Sequence, residues 1–121
     1  MFCHREYSGN HLIVDITHIR SDYDFTSISK LMAKTCTHFG FTVCSTIHKQ
    51  FGENKRAFSI LLLLSESHFS VHTYPESNTI AMDIYTCSPS HNRQILENIA
   101  DLWREELNGG GSYQIIARKL R

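Results

Sequence analysis

No apolar run in this sequence approaches the ~20 residues that a membrane span needs. The opening stretch, MFCHREYSGN, also lacks the apolar core of a signal peptide. A cytoplasmic location without a membrane partner is the resulting expectation. Charge of one sign is not in excess either: Lys and Arg together number 12, as do Asp and Glu. That balance removes the basic footprint of a nucleic-acid binder and argues against an anionic membrane as partner. The four cysteines, Cys3, Cys36, Cys44 and Cys87, show no CxxC spacing, so in a reducing compartment they are expected as free thiols. No strand is followed by a Gly-rich phosphate loop, so nothing points to nucleotide binding of the Rossmann or P-loop kind. Internal repeats, low-complexity segments and linkers are absent.

What is present fits one domain spanning residues 1–121. A chain this short often completes its core or its active site by pairing, which favours a homodimer. NHLIVDITHI (Asn10–Ile19) alternates Leu12, Val14 and Ile16 against Ile13 and Asp15 and reads as a strand. Ile28, Leu31, Met32, Thr35, Cys36 and Phe39 follow at helical spacing. Asp24 or Thr26 suits the start of that helix and Gly40 its end. FTVCSTIHK is a β-branched strand, QFGENK a turn in which Gly52 and Asn54 tolerate positive φ, and AFSILLLLSE a buried strand. HFSVHTYPE is extended up to Pro75, and TIAMDIYTC is the next strand. A second helix carries Ile95, Ile99, Leu102, Trp103 and Leu107, with Ser88 as N-cap, Pro89 in the first helical position, and Gly109–Gly111 as its end. SYQIIARKL closes the chain as a weaker edge strand. The order β-α-β-β-β-β-α-β, with short turns between the middle strands, predicts an α+β two-layer sandwich: an antiparallel sheet with two helices on one face.

The buried strand runs directly into Ser65-Glu66-Ser67-His68, with His72 just beyond. Serines at such a junction are ordinarily turn residues. His68 and His72 stand ~13 Å apart along a strand at ~3.3 Å per residue, so they cannot share one ion unaided, and no metal site is expected. A cysteine such as Cys87 is ordinarily a small buried hydrophobe. The reactive reading is that Ser67 is a nucleophile needing a base or a strained acceptor. His72 is then the group able to move a proton near neutral pH, and Cys87 a thiol activated by the helix start beside it. Ser67 and His72 have opposite strand parity, so a bulge or a chain end between them is required.

LSESHFSVHTYPE together with MDIYTCSPS resembles the pyruvoyl-dependent S-adenosylmethionine decarboxylase family in its short prokaryotic form. The shared pattern is a hydrophobic strand, E-S-H, then H-T-aromatic-P-E, then a strand ending D-x-[FY]-T-C. GNHLIVDI and STIHKQF are similar to their counterparts, so the resemblance runs from Gly9 to Trp103.

The resemblance implies an enzyme that makes its own cofactor. Ser67 would attack the Glu66 carbonyl, and the chain would separate between 66 and 67, leaving residue 67 as a pyruvoyl group. Ser59 matches the serine that assists processing, His72 the histidine that moves the proton of the elimination, and Cys87 the later proton donor. Glu76 matches the acid that binds the ribose, and Phe51 and Tyr74 the aromatics that stack on adenine. The pyruvoyl carbonyl would act on the substrate's α-amino group as pyridoxal does, feeding spermidine synthesis with an aminopropyl donor. The sequence departs from the pattern in a longer GENKRAF turn, in Tyr74 where tryptophan is common, in Ser65 as a rival nucleophile, and in the three consecutive glycines. Two other readings stay open: a pyruvoyl decarboxylase of a free amino acid such as arginine or ornithine, and an unprocessed, non-catalytic regulatory homologue.

Overall fold

The computed structural model of the chain describes residues 8–119. Its elements are β1 (Ser8–Thr17), α1 (Phe25–Phe39), β2 (Val43–Gln50), β3 (Phe58–Leu64), β4 (Ser67–Tyr74), a 3-10 turn (Pro75–Ser77), β5 (Thr79–Thr86), α2 (Arg93–Leu107) and β6 (Gly110–Lys119). The six strands form one sheet in the order β2-β3-β4-β5-β1-β6, with every pair antiparallel. This is the expected α+β two-layer sandwich. Cys3 and Leu120, for which a free thiol and a strand position were expected, lie outside the described residues.

Period-two alternation sends one side chain in two toward the helices. Leu12, Val14 and Ile16 of β1, Phe58, Ile60, Leu62 and Leu64 of β3, Phe69 and Val71 of β4, and Ile80, Met82 and Ile84 of β5 form one core. Ile28, Leu31, Met32 and Cys36 of α1 and Leu96, Ile99, Trp103 and Leu107 of α2 complete it. The two helices are tied together inside it, because Trp103 Nε1 donates to Thr35 Oγ1 at 2.9 Å and Thr35 Oγ1 donates to the Leu31 carbonyl at 2.7 Å. The leucine run is therefore not buried throughout. Leu62 and Leu64 face the helices, while Leu61 and Leu63 are 43% and 57% exposed on the sheet face that carries no helix.

The caps show where local signals suffice. Asp24 caps α1, accepting from Ser27 N at 2.8 Å while Ser27 Oγ accepts from Asp24 N. Thr26 lies inside the helix. Gly40, at φ 78°, ends it in the left-handed conformation. The start of α2 corrects the sequence reading: its N-cap is Asn92, whose side chain accepts from Ile95 N at 3.0 Å. Ser88 and Pro89 sit in a preceding turn, where Ser88 N donates to Thr86 Oγ1 and His91 N to the Ser88 carbonyl. Asn108, not the glycines, is the left-handed cap at the other end. Gly110 and Gly111 open β6, and Gly111 (φ 109°) is needed there, since a Cβ would meet Asp15 O at 1.9 Å.

Candidate active site

The junction between β3 and β4 is held from three directions. Ser65 N donates to Thr42 O at 2.9 Å. Glu66, only 6% exposed, accepts from Thr42 N at 3.1 Å through Oε1. The carbonyl of Glu66 accepts from Cys87 N at 3.2 Å, and Cys87 Sγ stands 3.2 Å from the same oxygen. Ser67 opens β4 opposite Thr86, the last residue of β5. The Glu66–Ser67 peptide thus has a fixed carbonyl with a main-chain donor on its oxygen. The rival nucleophile Ser65 is engaged elsewhere, its hydroxyl 3.3 Å from Cys44 Sγ.

A buried imidazole positions the segment that carries Cys87. His91 stacks on Phe41 (ring centroids 3.9 Å apart), with Nδ1 3.0 Å from Thr86 Oγ1 and Nε2 donating to the Phe39 carbonyl at 2.8 Å. It therefore ties the end of β5 to the Phe39–Thr42 segment that grips Glu66. Sequence reasoning missed His91 and Thr42, because only the fold brings them beside the junction.

Two expectations about the cysteines are corrected. Cys36 and Cys44 are free thiols, but Cys87 is disulfide-bonded. Cys87 also does not abut a helix start, since α2 begins only after Asn92. Its sulfur faces the Glu66 carbonyl rather than a helix N-terminus. Burial, with the Glu66 charge nearby, pushes the Cys36 thiol up to about 11.

A second cluster occupies the other end of the same strands. Ser59 and His72 are direct cross-strand partners, Ser59 Oγ lying 2.8 Å from His72 Nδ1. Tyr74, further along β4 on the face of His72, is exposed, as are Phe51 and Glu76. The longer turn is anchored against this end. Thr73 Oγ1 donates to Arg56 O at 2.6 Å, Arg56 Nη2 donates to Asn78 Oδ1 at 2.8 Å, and the Arg56 guanidinium lies 4.3 Å from the Tyr23 ring centroid. Burial raises the Tyr23 phenol above its ordinary value, with Arg56 opposing the shift and Glu76 adding to it. Phe51 N donates to Ala57 O at 2.8 Å, which fixes the start of this turn. Gly52 has φ 67° as expected, whereas Asn54 uses its side chain instead, accepting from Arg56 N.

The two clusters do not meet within the chain. β4 pairs with β5 without a bulge from Ser67–Thr86 to Tyr74–Thr79. Ser67 and His72 therefore lie on opposite faces, ~16 Å apart along the strand at ~3.3 Å per residue. Ser67, Glu66 and Cys87 come together; Ser59, His72, Tyr74, Phe51 and Glu76 share the opposite end.

In this α+β sandwich one strand junction clasps the carbonyl of Glu66 directly before Ser67. The sequence pattern described as S-adenosylmethionine decarboxylase matches residues 10–108, and the chain belongs to that family. It is 40% identical over 94 residues to the "S-adenosylmethionine decarboxylase proenzyme" of Brevibacillus brevis, covering 74% of this chain and 69% of that one. It is 34% identical over 110 residues to the "S-adenosylmethionine decarboxylase proenzyme 2" of Bacillus cereus, covering 84% and 85%. The crystal structure of the adenosylmethionine decarboxylase from Aquifex aeolicus shares the fold, with a TM-score of 0.75 at 22% identity over 95% of this chain and 92% of that one.

Proposed function

We propose that the chain is a self-processing decarboxylase of S-adenosylmethionine, and the Glu66 carbonyl clasped by Cys87 N carries that reading. Ser67 Oγ adds to the Glu66 carbonyl carbon, and the oxygen that gains charge already faces a main-chain donor at 3.2 Å. Collapse of the adduct breaks the C–N bond and leaves Glu66 esterified to Ser67 Oγ. Removal of the Ser67 α-proton then expels the Glu66 carboxylate, and the remaining dehydroalanine exchanges its nitrogen for water oxygen, releasing ammonia. Residue 67 becomes a pyruvoyl group at the head of β4. That ketone supplies an electron sink for the carbanion left when carbon dioxide departs. Cys87 returns a proton to that carbon as a thiol, so its disulfide must be reduced for turnover. Glu76 accepts from the ribose hydroxyls, and Phe51 and Tyr74 offer exposed rings to adenine.

The proton-moving pair Ser59–His72 cannot reach Ser67 of its own chain. We infer that a second copy supplies it. The sheet face without helices exposes Ile47 (66%), Leu61, Leu63 and Ile116 (49%). Full burial of such a side chain is worth ~1.5–3 kcal/mol, of which about half remains to be gained here. Two copies packed through this face make a homodimer with two composite sites, each taking Ser67 and Cys87 from one chain and Ser59, His72 and Glu76 from the other. A cytoplasmic setting, which keeps thiols reduced, and delivery of the product to spermidine synthesis complete the reading.

Intact mass of wild-type protein, with and without trapping by cyanoborohydride plus S-adenosylmethionine, tests it. The expected result is fragments 1–66 and 67–121, the latter gaining the mass of trapped decarboxylated substrate. A single uncleaved species with no carbonyl-reactive end overturns the proposal. Labelled carbon dioxide released from arginine or ornithine but not from S-adenosylmethionine would reassign the substrate.

A further inference from the structure

The helix-free sheet face, the one proposed above to pair two copies, also holds three metal-ligand side chains on three adjacent strands. His11 of β1 and His68 of β4 flank Tyr85 of β5 in register, and Asp83 lies two residues along β5 on the same face. His11 Nε2 is 2.6 Å from Asp83 Oδ2, and His68 Nε2 is 3.4 Å from that same oxygen. One donor atom from each of the three residues lies within 4.8 Å of the other two. Asp83 Oδ1 is taken by the Ser70 hydroxyl, leaving Oδ2 to the imidazoles. Both imidazole rings lie against Tyr85, with centroids 5.8 and 6.0 Å from it. The frame is all strand, so the donors are pre-positioned.

We infer that His11, His68 and Asp83 bind one divalent first-row transition ion, of the Zn2+ or Co2+ type. Two imidazoles and a carboxylate suit such ions and not Mg2+ or Ca2+, which prefer all-oxygen shells. The separation of His68 from Asp83 exceeds the ~2.7–2.9 Å of a charge-assisted hydrogen bond. It equals the ~3.4 Å edge of a tetrahedron with metal–ligand bonds of ~2.1 Å. An opening of the His11–Asp83 contact by less than about 1 Å, within rotamer reach, seats the ion between all three. Ser70 then acts as the outer-shell group that orients the carboxylate. Beside the cluster lies a pocket of about 280 Å³ lined by His11, Ser70 and Asp83 together with His72 of the second cluster. It has room for waters at the remaining coordination positions, given ~30 Å³ per water. The ion would cross-link β4, β5 and β1 one residue away from Ser67.

The site uses none of the residues assigned to substrate, and its test is optical, so its failure would leave the decarboxylase reading intact. Untagged full chain is titrated with Co2+ and followed by visible absorption. The expected result is one equivalent per chain, with ligand-field bands that vanish on Zn2+ addition. His11→Ala and His11→Gln are expected to weaken Co2+ binding at least about a hundredfold, while His18→Ala, at an exposed histidine just past the end of β1, leaves it unchanged. Absence of bands at millimolar Co2+, or equal affinity in the His11 and His18 variants, overturns the inference.

Discussion

Cys36 and Cys44 differ in their access to solvent. Cys36 is buried, with its pKa pushed up to about 11, and Cys44 is exposed at the irregularity in β2 between Val43 and Ser45. Because the thiolate is the reacting species, brief iodoacetamide treatment at pH 8 should alkylate Cys44 and spare Cys36 until denaturant is added, as read by peptide mass. Cys87 makes two separable contributions. Its N–H on the Glu66 carbonyl belongs to the main chain and survives substitution, whereas its sulfur does not. Cys87→Ser should therefore still cleave, as seen by intact mass, but lose ~10²–10⁴-fold in carbon dioxide release, the usual worth of a placed proton donor. Asp83 sets an acid limit. Burial alone would raise its pKa, but hydrogen bonds from Ser70 and His11 and the nearby charges of His11 and His68 outweigh that and lower it. A carboxyl lowered on folding contributes stability above its unfolded value, ~3.9, and that contribution is lost as pH falls below it. Urea midpoints should drop below about pH 4 in wild type and be flatter there in Asp83→Asn.

Elements were legible in the sequence where their signals are local. The apolar stripe of α1, its Asp24 cap and its Gly40 stop need only near neighbours, and the antiparallel run from β2 to β5 follows from short turns, whereas the place of β1 between β5 and β6 does not. The start of α2 was not legible, because Ser88 looks like a cap until Thr86 and His91 claim the turn around it. Leu61–Leu64 read as fully buried, yet alternation makes half of it outward-facing. The parity conflict between Ser67 and His72 was visible in the sequence; its meaning was not, since uninterrupted pairing of β4 with β5 is a property of the sheet. The two helices depend on one buried link. Thr35→Val should cost ~1–3 kcal/mol in urea unfolding, because it leaves Trp103 Nε1–H without its acceptor, while the near-equal volume keeps packing intact.

At the scale of the whole molecule, the division of the site predicts rescue between inactive chains. Ser67→Ala cannot form the pyruvoyl group, and His72→Ala lacks the proton-moving partner. Co-expressed, the two should form mixed pairs in which the His72→Ala chain is cleaved by the histidine of its companion. Intact mass should show its 67–121 fragment in the mixture and not in either variant alone. Cleavage absent from the mixture would place both groups in one chain and contradict the split.

On the composite site proposed above, the same ~16 Å gap between Ser67 and His72 would give maturation an unusual rate law. An isolated newly made chain would have its peptide bond poised but no agent to finish the cut, so activation would be second order in chain concentration until pairing saturates. Synthesis rate then sets not only how much enzyme accumulates but what fraction of it is switched on, and scarce chains stay dormant.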